Sequence, residues 1–236
     1  YQAVNQSNSR PSVLILGGGF AGISCASSLS SRHFNVCLVD QKSHFEFLPN
    51  IHEILSGVKR PHDVRLDLAQ QMSALQHRFV KASVEGIAPE KKQVILNNGT
   101  TLNYDYLVVG LGAIDASYGV EGIEPNAFSF KSAEQCAAIY HQLNELRVAS
   151  KPSRVTIIGA GITGVEALGE IFRNEQFSHL KITILEAQSR LLPKNSPELD
   201  RYIRDLCKPY PVDFRCHEAA QRIRKKSVLL RSGESL

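Results

Sequence analysis

Two hexapeptides carry the clearest chemistry in this chain, Gly17-Gly18-Gly19-Phe20-Ala21-Gly22 and Gly159-Ala160-Gly161-Ile162-Thr163-Gly164. Each has glycine at its first, third and sixth places. The first glycine permits a tight turn, the third lets backbone approach a pyrophosphate, and the sixth lets a helix pack closely on a strand. A helix starting there also offers unpaired N–H groups and its positive dipole end to phosphate. An acid follows at a fixed remove: Asp40 stands 18 residues after Gly22, and Glu186 stands 22 after Gly164. A carboxylate so placed accepts hydrogen bonds from ribose hydroxyls. Glu186 would also repel a 2′-phosphate, which favours NADH over NADPH at the second site, with Arg190 close by in sequence as the opposing charge.

A glycine turn alone also occurs without a ligand, so the flanking elements decide its meaning. Val13 to Leu16 is an apolar run entering the first turn, a small-residue helix follows from Gly19 to Ser30, and Val36 to Val39 runs into Asp40. The same order returns as Val155 to Ile158, the second turn, a helix from Gly161 to Arg173, and Ile182 to Leu185 closed by Glu186. Strand, turn, helix and strand twice over predict an α/β fold with two Rossmann-like FAD/NAD(P)-binding units, parallel sheets flanked by helices. A β-hairpin or meander is predicted where Val94 to Leu96 and Thr100 to Leu102 flank Asn98-Gly99, both of which tolerate positive φ. Val64, Leu68, Met72 and Leu75 predict an amphipathic helix over His62 to His77. Cys136, Tyr140, Leu143 and Leu146 define one face of another over Ser132 to Val148, and Ala149 to Ser153 reads as a surface connection. Pro209, Pro211 and the strand-like Val228 to Leu230 complete the second unit. The expected domains are 1–120 and 121–236.

Composition narrows the class. With 43% hydrophobic and 21% charged residues the chain reads as an ordinary globular protein. A formal charge of +4 suits nucleotide phosphates or an anionic membrane surface but is too small to argue for nucleic acid. The basic run Arg222, Arg224, Lys225 and Lys226 has no interleaved aromatics and reads as a solvated strand end. Five cysteines form no CxxC pair, which argues against a dithiol or a structural zinc and predicts unpaired thiols in a reducing compartment. No metal site is expected. No apolar run approaches the roughly 20 residues of a membrane-spanning helix, and the polar start, Tyr1 to Arg10, shows no signal peptide.

The two loops, the hairpin, and Tyr104-Asp105-Tyr106-Leu107-Val108-Val109-Gly110-Leu111-Gly112 resemble the flavoproteins with two dinucleotide-binding domains. Among these, type II NADH dehydrogenases (NADH:quinone oxidoreductases) are the most similar, through Gly18 to Gly22, His44-Phe45-Glu46-Phe47-Leu48-Pro49 and Thr163-Gly164-Val165-Glu166. The resemblance runs from Val13 to the end. It implies FAD on the first unit, with Gly17, Gly18, Gly19, Phe20, Ala21 and Gly22 at the pyrophosphate, and Asp40 with Gln41 at the adenosine ribose. It places the main chain of Val84 at the adenine, Pro49 near the isoalloxazine, and Gly110, Leu111 and Gly112 where the two domains' chains cross; the family usually has Ala-Thr-Gly there. It implies NAD(H) on Gly159, Gly161, Ile162, Thr163, Gly164 and Glu186. Glu166 matches the family glutamate beside nicotinamide and flavin, although an acid one turn into a helix equally suits the helix dipole, by a few tenths of a kcal/mol.

The activity implied is hydride transfer from NADH to FAD and two-electron reduction of a quinone or another small acceptor. No role is assigned to His44, His52 or His62. The resemblance further implies a cytoplasmic protein, peripheral on the inner face of a membrane through a C-terminal part that this chain lacks, with room for a homodimer. The family's late Gly-Asp has no counterpart, so a fragment or truncation with an uncovered sheet edge is expected. Two other readings stay open. One is a sulfide:quinone or ferredoxin/rubredoxin-type reductase, for which Cys136 is the candidate reactive thiol; the other is a non-catalytic module resembling apoptosis-inducing factor.

Overall fold

The computed structural model describes residues 10–114, 116–149 and 153–236. The surface connection expected at Ala149 to Ser153 falls mostly outside them, as does most of the polar start. The fold is α/β, and the described residues form two compact units that interleave along the chain. One comprises residues up to Glu46 with Arg65–Ile114; the other comprises Phe47–Val64 with residues from Ala116 onward.

The first unit is built on a parallel sheet of β1 (Ser12–Leu16), β2 (Asn35–Asp40), β5 (Arg78–Lys81) and β9 (Tyr106–Val109), in the order β5-β2-β1-β9. Successive strand side chains point to opposite faces, and both faces of β1 and β2 are covered, which is why their sequences are unbroken apolar runs. Val13, Ile15, Val36 and Leu38 face α1 (Phe20–Ser28) and α2 (Leu68–Ala74), meeting Ala26, Leu68 and Met72. Leu14, Leu16, Cys37 and Val39 face an antiparallel sheet of β6 (Val84–Ala88), β7 (Gln93–Leu96) and β8 (Thr101–Asn103), meeting Val94 and Leu96. A short ribbon of β3 (His44–Glu46) and β4 (Arg65–Asp67) leads into α2. Edge strand β9 leaves Tyr106 and Val109 exposed.

Two local expectations need correcting. The β7–β8 hairpin closes with a three-residue loop, Asn97-Asn98-Gly99, in which only Gly99 takes positive φ, +78°. The Leu96 carbonyl accepts from Gly99 N, and Asn98 Oδ1 accepts from Thr100 N, so the asparagine closes the turn with its side chain and not with its backbone. The single helix expected over His62 to His77 is three pieces: a 3₁₀ turn at Pro61–Val64, strand β4, and α2. Val64 and Leu68 are both buried, but in different cores. Helical spacing arose from two unrelated surfaces. The Asp67 side chain accepts from Gln70 N at 2.7 Å and sets the true helix start.

The second unit holds a parallel sheet of β10 (Arg154–Ile158), β11 (Lys181–Glu186) and β12 (Val212–Cys216), with an antiparallel ribbon of β13 (Ala220–Arg224) and β14 (Ser227–Leu230). It also carries α3 (Ile123–Asn126), α4 (Ala133–Val148), α5 (Ile162–Arg173) and α6 (Pro197–Cys207). One face of the sheet, Val155, Ile157, Ile182, Ile184, Val212 and Phe214, packs beneath helices. α4 starts where Ser132 caps Gln135 N and buries Cys136 and Leu143 as the spacing predicts. Ile51, Ile54, Leu55 and Val64 enter the same core as Leu143, Leu168 and Ile171. Burying four aliphatic side chains stabilises this arrangement by about 1.5–3 kcal/mol each, so Phe47–Val64 is an integral part of the second unit.

Removing the α2 cap isolates a local contribution. Asp67→Ala is expected to lower the unfolding free energy by about 1 kcal/mol, measured by urea denaturation, with nothing changed in the second unit.

Candidate functional site

The two glycine turns share one geometry. Gly17 has φ +102° and donates to the Val39 carbonyl at 2.8 Å; Gly159 has φ +96° and donates to the Leu185 carbonyl at 2.8 Å. Each helix then passes directly beneath the first glycine's carbonyl. A β-carbon on Gly22 would sit 1.8 Å from Gly17 O, and one on Gly164 would sit 2.0 Å from Gly159 O. At Gly17 a β-carbon would lie 2.2 Å from Gly110 O, while at Gly18 it would press on Leu68. The protein's own packing therefore demands the sixth glycine in both turns, and the first by its backbone angle.

The third glycine has a different explanation. Gly19 and Gly161 are extended, at φ −80° and −70°, and a β-carbon on either meets nothing within 4 Å. Neither packing nor backbone strain requires glycine there. Both residues are N-caps without a side-chain cap, so the first-turn N–H groups of α1 and α5 look outward past a position kept bare. A pyrophosphate lying against the backbone fits both features: a β-carbon would fill its space, and helix N–H groups would bind its oxygens.

The acids brace these turns. Asp40 Oδ2 accepts from Gly18 N at 2.6 Å and Oδ1 from Lys42 N at 2.7 Å. Glu186 repeats the pattern, accepting from Ala160 N and Gln188 N at 2.9 Å each. Sequence spacing suggests only ribose recognition, whereas one oxygen of each carboxylate also fixes the loop between the first and third glycines and the other holds the turn that follows its own strand. An ionised carboxylate has about four acceptor sites, so capacity for a ribose hydroxyl remains. Glu186 is buried; Arg190 nearby is held by the Pro193 and Asn195 carbonyls at 3.0 and 2.9 Å.

The remaining expected residues divide between the units. Around the carboxyl ends of β1, β2 and β9 lie Gly17 to Gly22, Asp40, the exposed Gln41, and Gly110, whose N–H donates to Leu16 O at 2.7 Å. Ala82 N donates to Asp40 O at 3.0 Å and brings Val84, the first residue of β6, towards the same end of the sheet. Leu111 is exposed and Gly112 takes φ +77°. Phe20 is half exposed and edge-on to Phe45, ring centroids 4.9 Å apart. In the second unit, Ala160, Gly161, Ile162, Thr163 and Gly164 form the other turn, with Ile162 and Thr163 exposed.

Pro49 belongs to the second unit, in the 3₁₀ segment Leu48–Ile54 that packs on α4 and α5. Glu166 is the fifth residue of α5, outside its first turn, and exposed. Beyond the first turn the dipole effect on an acid has largely decayed, and no hydrogen bond or ion pair with another described residue holds it. Sequence reasoning missed Glu46, buried and bonded to Arg65 at 3.0 Å and Lys42 at 3.0 Å, and Glu170, buried on α5. For Glu170 the available signal was an acid where the helical pattern called for an apolar residue; Glu46 shares the strand face of His44, opposite Phe45, and carried no such signal. None of the five cysteines forms a disulfide, and Cys136 is fully buried, with no exposed sulfur to react.

Comparison with known proteins agrees with this geometry. The family model of the pyridine nucleotide-disulphide oxidoreductases matches residues 11–236. A probable NADH dehydrogenase of Dictyostelium discoideum is 25% identical over 252 residues, covering 95% of this chain and 56% of that protein. A type II NADH:quinone oxidoreductase of Staphylococcus aureus is 27% identical over 228 residues, covering 87% and 56%. The fold matches that of NDH2 from Plasmodium falciparum, solved in complex with NADH, at a TM-score of 0.85 and 18% identity, over 97% of this chain and 53% of the other. The chain thus spans just over half the length of these relatives.

The two kinds of glycine separate by substitution. Gly164→Ala is expected to unfold or markedly destabilise the second unit, because its β-carbon has no room. Gly161→Ala should melt within a few degrees of the parent yet lose at least tenfold in dinucleotide affinity, measured by calorimetric titration. Equal affinity in Gly161→Ala would remove the pyrophosphate assignment.

Proposed function

The chain belongs to the pyridine nucleotide-disulphide oxidoreductase family, and from that premise we propose that it is the dinucleotide-binding part of an FAD-dependent NADH:quinone oxidoreductase. The observation that carries the proposal is the paired glycine turn, each with one glycine that nothing within the protein requires. Two such turns on separate units fit two dinucleotides. Relatives named as NADH dehydrogenases support NADH as one of the two, and this reading gives FAD to the first turn and NADH to the second.

In this reading residues 1–120 supply the FAD-binding domain and residues 121–236 the NADH-binding domain, with Phe47–Val64 riding on the latter. Gly17 to Gly22 and the amino end of α1 bind the FAD pyrophosphate. Asp40 and Gln41 serve the adenosine ribose, Val84 the adenine, and Gly110 to Gly112 line the crossing of the chain. Gly159 to Gly164 and α5 bind the NADH pyrophosphate, and Glu186 takes its ribose. The buried charge of Glu186 disfavours a 2′-phosphate, since that dianion would approach a carboxylate already shielded from water.

FAD held by Gly17 to Gly22, Asp40 and Gln41 would supply the redox chemistry, the transfer of a hydride from NADH and of two electrons to a quinone. The protein's contribution is to orient. Glu166, exposed and unpaired, orients the nicotinamide carboxamide, and Pro49 with its neighbours bounds the flavin side. For a lipid-soluble quinone this reading includes peripheral contact with a membrane; no described helix is long and apolar enough to cross one. Cytoplasmic location and homodimerisation belong to the same reading.

Anaerobic titration of the purified, FAD-loaded protein tests it. The flavin absorption band should bleach with NADH, more slowly with NADPH, and not with sulfide, then recover on addition of a short-chain quinone. Glu166→Gln should slow bleaching by about tenfold, in the range expected of a lost orienting contact. A protein that takes up neither FAD nor NADH would overturn the proposal.

A further inference from the structure

Glu170 is buried on the apolar face of α5, between Leu168 and Ile171, where a hydrophobic side chain would be expected. Its carboxylate accepts from the hydroxyl of Ser56, itself buried, and from Arg173 Nη1 at 3.2 Å. Arg173 Nη1 also reaches Glu53 Oε1 at 3.3 Å, and Lys59 Nζ lies 2.7 Å from the other Glu53 oxygen. Asn174 Nδ2 donates to the Ser56 carbonyl at 3.0 Å. These partners depress the Glu53 carboxyl, first through its hydrogen bond to Lys59, and raise the Arg173 guanidinium through its bond to Glu170. One polar chain therefore joins the carboxyl half of α5 to the segment Glu53 to Lys59, inside the second unit.

Such a network is weak evidence for stability. Apolar residues of similar volume often hold a buried site as well or better, whereas directional bonds fix how two surfaces register. The surfaces joined here are telling. α5 begins at the second glycine turn and carries Glu166 one turn before Glu170. The other surface is a 3₁₀ segment whose front residues, Phe47 and Leu48, stay exposed at 42% and 48% although Ile51 and Ile54 behind them are buried. The segment that carries Phe47 and Leu48 is thus anchored from behind.

We infer that Glu170, with Ser56 and Arg173, is a positioning device that sets Phe47-Leu48-Pro49 in register with Glu166 on α5. The inference rests on the proposed NADH chemistry, in which both groups border the reacting rings. None of the three positioning residues touches substrate; they act through the two elements they tie.

The experiment compares the parent protein with the double variant Ser56→Ala/Glu170→Leu, following thermal unfolding, amide hydrogen exchange and anaerobic flavin bleaching by NADH. Expected are a melting temperature at or above the parent's, faster exchange confined to Phe47–Ser56, and bleaching slowed about tenfold or more, as a small misplacement produces. Glu170→Gln, which keeps an acceptor for Ser56, should recover part of the rate, and it decides the matter if the double variant does not fold. Parent-like exchange and bleaching would overturn the inference, as would a melting temperature and a rate that fall together with exchange raised throughout the unit. If the parent itself does not bleach with NADH, the proposed function fails instead, and exchange within Phe47–Ser56 alone decides the positioning role.

Discussion

Where a helix doubles back as tightly on a buried parallel strand as it does here, the carbonyl at the bend comes too close to the helix for a β-carbon to fit between them. In both units that contact is the carbonyl of the first glycine against the sixth, Gly17 on Gly22 and Gly159 on Gly164. Everything around the candidate site depends on it. The close passage brings the amino end of the helix to the carboxyl end of the sheet, and it leaves a bare stretch of backbone at Gly19 and Gly161. The carboxylates of Asp40 and Glu186 then hold the intervening N–H groups in place. A loop fixed before a ligand arrives loses little conformational freedom on binding, which is why such turns suit phosphate recognition.

The second unit adds a polar constraint to this steric one. α5 starts at a glycine turn, buries Leu168 and Ile171 in the core, and ends in the network of Glu170, Arg173 and Asn174. One helix thus runs from the second glycine turn to a segment recruited from elsewhere in the chain.

Patterns that arise from a single element were legible. The apolar runs of β1, β2 and β11, the glycine turns and the face of α4 each reflect one local periodicity together with the surface it meets. Legibility failed where one stretch serves two surfaces. Val64 and Leu68 look like one helix face because they are four apart, yet they lie in separate cores with a strand between them. Asn98-Gly99 announced a hairpin correctly, but loop length, set by pairing Val94 with Leu102, decided that only Gly99 would take the left-handed conformation.

The sequence by itself determined the α/β class, the repeat of strand, turn and helix, and the identity of the acids that end β2 and β11. These follow from steric rules within a few residues of one another. Only the tertiary structure decided that Phe47–Val64 joins the second unit, that Asp40 and Glu186 brace the turns, and that Glu170 is buried against Ser56. Each of those depends on groups 22 to 120 residues apart meeting in space. No local periodicity encodes such a meeting; it is settled by which apolar surfaces cover one another when the chain closes.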